Sequence, residues 1–190
     1  MNRAMSSLKQ GVIAVLILVV VAVTHQAIAA PIAVGELAPD FSMQQLDGTE
    51  FNLSEHRGEH SVYLIFWNTW CGPCMKKTPK LVEIQNEYGE QVKLLAINTS
   101  WSDSLPEISR FQSHFSTNYA IAFDSEAEVT HLYGVIGTPT SFLVDINGVI
   151  RQVDGITHTL SANIAQWNTP QPETEPSLLA IEACNKDSLC

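Results

Sequence analysis

Ser61-Val62-Tyr63-Leu64-Ile65-Phe66-Trp67 is an unbroken apolar, β-branched and aromatic run without a charge. It has the pattern of a strand buried on both faces. Val92 to Ile97 reads the same way. After each run the period changes. Leu81, Ile84 and Tyr88 share one face of a helix that starts after Cys71 and stops at Gly89, and Pro79 is expected to kink it near its first turns. Leu105, Ile108, Phe111 and Phe115 space a second helix over 104–115. A third begins at Asp124 or Ser125, where Ser125 and Glu128 have capping-box spacing, and stops at Gly134. The run Thr140 to Ile146, the turn Asn147-Gly148 and the run Val149 to Val153 predict an antiparallel hairpin, and Leu160, Ile164 and Trp167 a final helix. Upstream, Val34 to Leu53 reads as short extended pieces around the Asp47-Gly48 turn, with Ser54 capping a short turn of helix. Parallel-type strands alternating with helices, closed by a hairpin, predict an α/β domain with a mixed sheet.

The two ends differ from this pattern. Arg3 and Lys9 precede an apolar run from Val12 to Val23, and Ala27-Ile28-Ala29 follows it. That order reads as a signal peptide over residues 1–29, cut after Ala29. The run is shorter than the roughly 20 residues that cross a bilayer. The alternative is an uncleaved anchor that tethers the domain to the inner membrane. In both cases the remainder is exported, to a bacterial periplasm. Pro170, Pro172 and Pro176 mark residues 168–190 as a linker and tail beyond a domain over 34–167.

Composition narrows the function classes. The formal charge is −10, and losing residues 1–29, which hold Arg3 and Lys9 and no acid, makes it −12. Such a surface repels nucleic acid and anionic lipid, so no nucleic-acid partner is expected. The six histidines show no paired metal spacing, and neither metal nor cofactor is expected.

The four cysteines fall in two pairs, Cys71 with Cys74 and Cys184 with Cys190. Both suggest disulfide chemistry in an oxidising compartment. Trp70-Cys71-Gly72-Pro73-Cys74 lies where a buried strand gives way to a helix. A thiol there sits near partial positive charge and unpaired N–H groups, which stabilise its thiolate. Cys71 is therefore the candidate nucleophile. Cys74, one turn further in, is placed to resolve the mixed disulfide that Cys71 forms with a substrate. Two other readings stand: a static bridge, or half of a zinc site, for which the tail pair is a poor second half.

Phe66-Trp67-Asn68-Thr69-Trp70-Cys71-Gly72-Pro73-Cys74, Pro79, and Gly137-Thr138-Pro139-Thr140 resemble the landmarks of thioredoxins. Gly35-Glu36-Leu37-Ala38-Pro39-Asp40-Phe41, and the helix-containing stretch before Thr138, resemble the TlpA-like subgroup of exported, often membrane-tethered thiol:disulfide reductases, some serving cytochrome c maturation. The resemblance covers roughly residues 34–167. It implies a thioredoxin fold with a mixed central sheet flanked by helices, an N-terminal β extension and a helix-containing central insertion. It also implies a cis Thr138–Pro139 bond beside the cysteines, presenting the Thr138 backbone to an extended substrate segment as in strand addition. Trp70, Gly72 and Pro73 would line the same site. Read without the resemblance, Pro139 is a trans turn residue that starts the next strand.

Two positions depart from the resembled pattern. Thioredoxins place a buried Asp six residues before the first cysteine, where Ile65 stands, and some TlpA-like reductases use a glutamate three residues beyond the second, where Lys77 stands. The base for Cys74 is thus unidentified: water, or a desolvated Lys77 in place of a solvated one. Lys76, Lys77 and Lys80 form a basic patch that steers an acidic partner or is a plain solvated face. Trp67, Phe66 and Phe142 read as core.

Gly72-Pro73 is the dipeptide of strongly reducing thioredoxins, so the expected activity is reduction of disulfides in client proteins. A reductase in an oxidising compartment needs a membrane electron donor of thiol–disulfide relay type. The alternatives are a disulfide oxidase or isomerase, for which a histidine in place of Pro73 would speak, and a non-catalytic thiol-binding or metal-chaperone module, supported only by Met75. Ala38-Pro39-Asp40-Phe41 also occurs in peroxiredoxin-like openings, but the accompanying peroxidatic cysteine signature is missing. Cys184–Cys190 is read as a small local disulfide, with a labile second redox pair or unpaired thiols as the alternatives.

Overall fold

A computed structural model describes residues 32–155 and 160–170 of the chain. The expected signal peptide over 1–29 and the Cys184–Cys190 pair lie outside the described residues.

The described chain is built on a five-stranded sheet of order β5-β4-β3-β6-β7. Its strands are β3 (Ser61–Trp67), β4 (Val92–Asn98), β5 (Ala120–Phe123), β6 (Thr140–Val144) and β7 (Ile150–Val153). β3, β4 and β5 run parallel, and β6 and β7 are antiparallel to their neighbours. This is the mixed α/β sheet expected of a thioredoxin fold. All seven residues of β3 are buried. Tyr63, Ile65 and Trp67 join one apolar cluster with Leu81, Ile84, Ile108, Phe111, Ile164 and Trp167. Val62, Leu64 and Phe66 join another with Phe41, Phe51, Tyr133 and Phe142. Two apolar layers explain why the strand has no polar period.

Among the described residues four α-helices accompany the sheet: α1 (Gly72–Tyr88), α2 (Leu105–Phe115), α3 (Glu128–Leu132) and α4 (Leu160–Trp167). α1 runs on through Pro79, whose missing N–H leaves the Met75 carbonyl without its helical donor. Gly89 ends the helix in a right-handed conformation, its N–H bonded to the Gln85 carbonyl. At the far end of the sheet the Asn168 side chain accepts from Ser61 N (3.0 Å) and Ser61 Oγ (2.6 Å) and donates to the Gln91 carbonyl (2.9 Å). These bonds tie the end of α4 to the start of β3.

The N-terminal β extension is a hairpin of β1 (Ser42–Gln44) and β2 (Glu50–Asn52) around the Asp47-Gly48 turn. Asp47 Oδ1 accepts from Thr49 N (2.9 Å) and Thr49 Oγ1 (2.6 Å), and Gly48 has φ +88°, a conformation glycine adopts without strain. The extension covers both sheet edges. Gly35 and Glu36 exchange backbone bonds with Ile150 in β7, while Leu46 N donates to Ile121 O in β5. These bonds occupy part of each edge and leave less of it open to strand pairing.

Three local expectations are corrected, and one strand, β5, has no counterpart in the sequence pattern. Ser54 lies inside the 3-10 turn Leu53–His56, which Asn52 caps without a side-chain bond; Leu53, anchored in the core, starts the turn earlier. The third helix begins at Glu128. Asp124 acts from outside it, accepting from Thr130 N (2.7 Å), Thr130 Oγ1 (2.6 Å) and Val129 N (3.4 Å), in place of the Ser125–Glu128 box. Leu105 begins α2 but is exposed, and only Ile108 and Phe111 of its stripe are buried. Strand β5 carries no periodic signal of its own, because Ala120-Ile121-Ala122-Phe123 is short and half alanine.

Candidate active site

β3 delivers the chain to the carboxyl end of the sheet, where Thr99 N donates to the Trp67 carbonyl (3.2 Å). Four residues later Cys71 and Cys74 form a disulfide, with Cα atoms 5.2 Å apart. Cys71 is the N-cap of α1, in extended conformation, and Pro73 occupies the first turn where its missing N–H costs nothing. The Cys74 amide donates to Cys71 Sγ (3.2 Å), and Met75 N donates to the Cys71 carbonyl (3.0 Å). No acidic residue lies in the first turn of α1. The helix N-terminus therefore presents donors and partial positive charge to this sulfur, the setting that stabilises a thiolate.

Both cysteines are only 3% exposed, whereas Trp70 is 55% exposed, and Gly72 and Pro73 are also exposed. The surface over the disulfide is thus made by its neighbours. The Trp70 indole is not free to turn, since Nε1 donates to the Trp101 carbonyl (2.7 Å).

The Thr138–Pro139 bond is cis, as the thioredoxin resemblance implies. Phe66 pairs with Thr140 across β3 and β6, which brings the Gly137–Pro139 loop to the same end of the sheet as Cys71. The loops are joined directly. Asn68 Oδ1 accepts from Thr138 Oγ1 (3.2 Å) and Thr99 Oγ1 (2.9 Å). Asp103 accepts from Thr69 N (2.8 Å), Asn68 Nδ2 (3.1 Å), Asn98 Nδ2 (2.8 Å) and the Thr69 hydroxyl. Neither Asn68 nor Asp103 is singled out by sequence reasoning. Asn68, a polar residue directly after a buried strand, carried the available signal.

Beneath the disulfide, Ile65 is buried in one cluster with both cysteines. Lys77 is half-buried on α1, so neither position supplies a carboxylate. Among the described residues the buried acids are Asp124 and Asp145, bound respectively to the start of α3 and to the β6–β7 turn. Tyr63 and Tyr119 belong to the cysteine cluster, and burial pushes both up to about 12. They stay protonated near neutrality and are not bases. Thr78, on the same helix as Cys74, donates its Oγ1 to the Cys74 carbonyl (3.0 Å). Of the basic patch, Lys80 bonds Glu83 (2.9 Å) and Lys76 is exposed. A shallow cleft of about 530 Å³ opens beside the motif, lined by Thr69, Met75, Arg110, Phe111, His114 and Phe115 among others. Trp67, Phe66 and Phe142 are core, as expected.

A family model described as the AhpC/TSA family matches residues 34–153. The thiol-disulfide oxidoreductase ResA of Geobacillus thermodenitrificans is 37% identical over 131 residues, covering 68% of this chain and 72% of the relative. The thioredoxin-like protein YneN of Bacillus subtilis is 32% identical over 120 residues, 63% of this chain and 69% of the relative. Among solved structures, a putative thiol:disulfide interchange protein DsbE from Chlorobium tepidum matches with TM-score 0.63 and 30% identity, covering 73% of this chain and 99% of that one.

Proposed function

The chain belongs to the AhpC/TSA family, and we propose that it is exported and reduces disulfides of client proteins through Cys71 and Cys74. It is a thiol:disulfide oxidoreductase of thioredoxin fold. The observation that carries the reading is the Cys71 sulfur capping α1, with the Cys74 amide directed at it.

In the reduced protein the Cys71 thiolate attacks one sulfur of a client disulfide, forming a mixed disulfide and releasing one client thiolate. The Cys74 thiol loses its proton, and its sulfur attacks Cys71 Sγ. The second client thiolate leaves, and the Cys71–Cys74 bond of this structure is the product. Two electrons pass to the client, and its two released thiolates take their protons from solvent. Water accepts the Cys74 proton in the first instance, since no carboxylate lies in the Ile65 position.

Trp70, Gly72 and Pro73 on one side and Thr138-Pro139 on the other form the walls that hold an extended client segment over the buried sulfurs. The direction rests on Gly72-Pro73, the dipeptide of reducing thioredoxins, which favours the reductase over an oxidase or isomerase. Apocytochrome c, whose cysteines must be reduced before haem attachment, is a client class that fits the resemblance to TlpA-like reductases. The N-terminal segment supports a periplasmic site of action, soluble or tethered. A membrane thiol–disulfide relay returns the protein to its dithiol state.

The test is capture. Cys74→Ser leaves Cys71 able to attack but nothing to resolve it, so periplasmic clients should accumulate as mixed disulfides that dithiothreitol releases. Absence of covalent partners on Cys74→Ser, under conditions where Cys71 is reduced, contradicts a client-reducing role.

A further inference from the structure

The client-binding walls lie on separate segments: residues 70–73 follow β3, and Thr138-Pro139 precedes β6. They can hold one client segment only if their spacing is set. The structure shows what sets it. The Asp103 carboxylate, in the loop between β4 and α2, receives Thr69 N (2.8 Å), the Thr69 hydroxyl, Asn68 Nδ2 (3.1 Å) and Asn98 Nδ2 (2.8 Å). Asn68 is fully buried, and its amide is oriented by what it meets. Nδ2 faces Asp103 and the Trp101 carbonyl (3.3 Å), and Oδ1 accepts from Thr99 and from Thr138 (3.2 Å). The Trp101 carbonyl also receives the Trp70 indole (2.7 Å). A continuous series of hydrogen bonds thus runs from Asp103 through Asn68 to Thr138, with a branch through Trp101 to Trp70.

We infer that Asp103 is a positioning residue for client recognition, holding the Trp70–Cys71 segment and the Thr138-Pro139 loop at the separation that grips an extended disulfide-bearing segment. A charged acceptor suits this task. It takes several donors at once, and charge-assisted bonds hold their geometry better than neutral ones. A carboxylate inside a polar network also leaves several partners unsatisfied when it is removed. Asp103 touches neither sulfur, so its effect should fall on substrates that need both walls. A small disulfide that needs only the Cys71 thiolate should be spared.

The inference rests on Cys71 being the client-attacking thiol. It is tested with the pre-reduced exported protein on two substrates: insulin, a protein disulfide, and dithiobis(nitrobenzoate), a small one. Asp103→Ala is expected to lower kcat/KM for insulin by about tenfold, mainly through KM, because small displacements of positioning groups carry penalties of this order or larger. Its rate on the small disulfide should stay within about twofold of wild type. Asp103→Asn keeps an oxygen facing Thr69 N and should recover most of the insulin rate. Equal losses on both substrates, or no loss on insulin, overturn the inference. If Asp103→Ala does not fold, Thr99→Val decides the matter. It removes the hydroxyl that donates to Asn68 Oδ1 (2.9 Å), loosening Asn68 between Asp103 and Thr138 without altering either wall, and should lower the insulin rate by about threefold with the small-disulfide rate retained. An unchanged insulin rate in Thr99→Val overturns the inference. Wild type that fails to reduce insulin counts against the proposed function, a distinct result.

Discussion

The amide of Cys74 donates to the sulfur of Cys71 across 3.2 Å. The bond makes the two cysteines unequal, because Cys71 sits at the positive end of α1 and Cys74 one turn inside it. After reduction the same amide faces a thiolate, which is a better acceptor than a disulfide sulfur. In the reduced protein, iodoacetamide at pH 6 to 7 should modify Cys71 well before Cys74, as read by peptide mass spectrometry. Preferential modification of Cys74 contradicts the assigned roles.

Ile65 is 1% exposed and lies in the cluster that contains both cysteines. An aspartate introduced there has no counter-charge among the cluster's members. Ile65→Asp should cost about 3 kcal/mol in urea unfolding, as an uncompensated buried acid does. It should also speed release of the mixed disulfide by giving Cys74 a nearby base. A variant as stable as wild type would show that the Ile65 position is not sealed.

Asp145 closes the β6–β7 turn. Its Oδ1 accepts from Asn147 N and Val149 N (both 2.9 Å), and its Oδ2 from Arg151 Nε (2.6 Å). The carboxylate side chain is 2% exposed. Asp145→Ala strands buried donors and breaks the turn, and should lower unfolding free energy by about 2 to 4 kcal/mol. The denaturation midpoint measures it, and a shift below about 0.5 kcal/mol contradicts the account.

His56 lies against Phe51, with ring centroids 4.8 Å apart. Burial is the largest cause holding its pKa below the usual histidine value, with His60 and Lys93 adding repulsion. The unfolded chain therefore binds a proton more readily than the folded one. This contribution is fully present above about pH 6.5 and is lost as pH falls below that value. His56→Gln should flatten the dependence of stability on pH between about 7 and 5, measured by thermal unfolding. An unchanged slope means that His56 does not titrate in that window.

The parts of the fold legible in the sequence are those with a strong period or a turn dipeptide. β3 shows as seven apolar residues because both faces are covered, and the Asn147-Gly148 and Asp47-Gly48 turns mark their hairpins. β5 was illegible because four residues with two alanines have no period; its place as an edge strand is set by pairing with β4. The start of α3 shifted because Asp124, rather than Ser125, meets its amides. At the site, Cys71, Cys74 and the cis Thr138–Pro139 bond follow from local motifs and the family resemblance. Asn68, Thr69 and Asp103 do not, since their partners lie about 30 to 70 residues apart in sequence and no local pattern records such pairings.

The central claim is that Cys71 and Cys74 form the reducing centre. The most direct measurement is insulin reduction by the purified, pre-reduced exported form beside Cys71→Ser, followed by turbidity as the free chain precipitates. The account predicts reduction by wild type and none by Cys71→Ser above the uncatalysed rate. An inactive wild type, or full activity in Cys71→Ser, contradicts it.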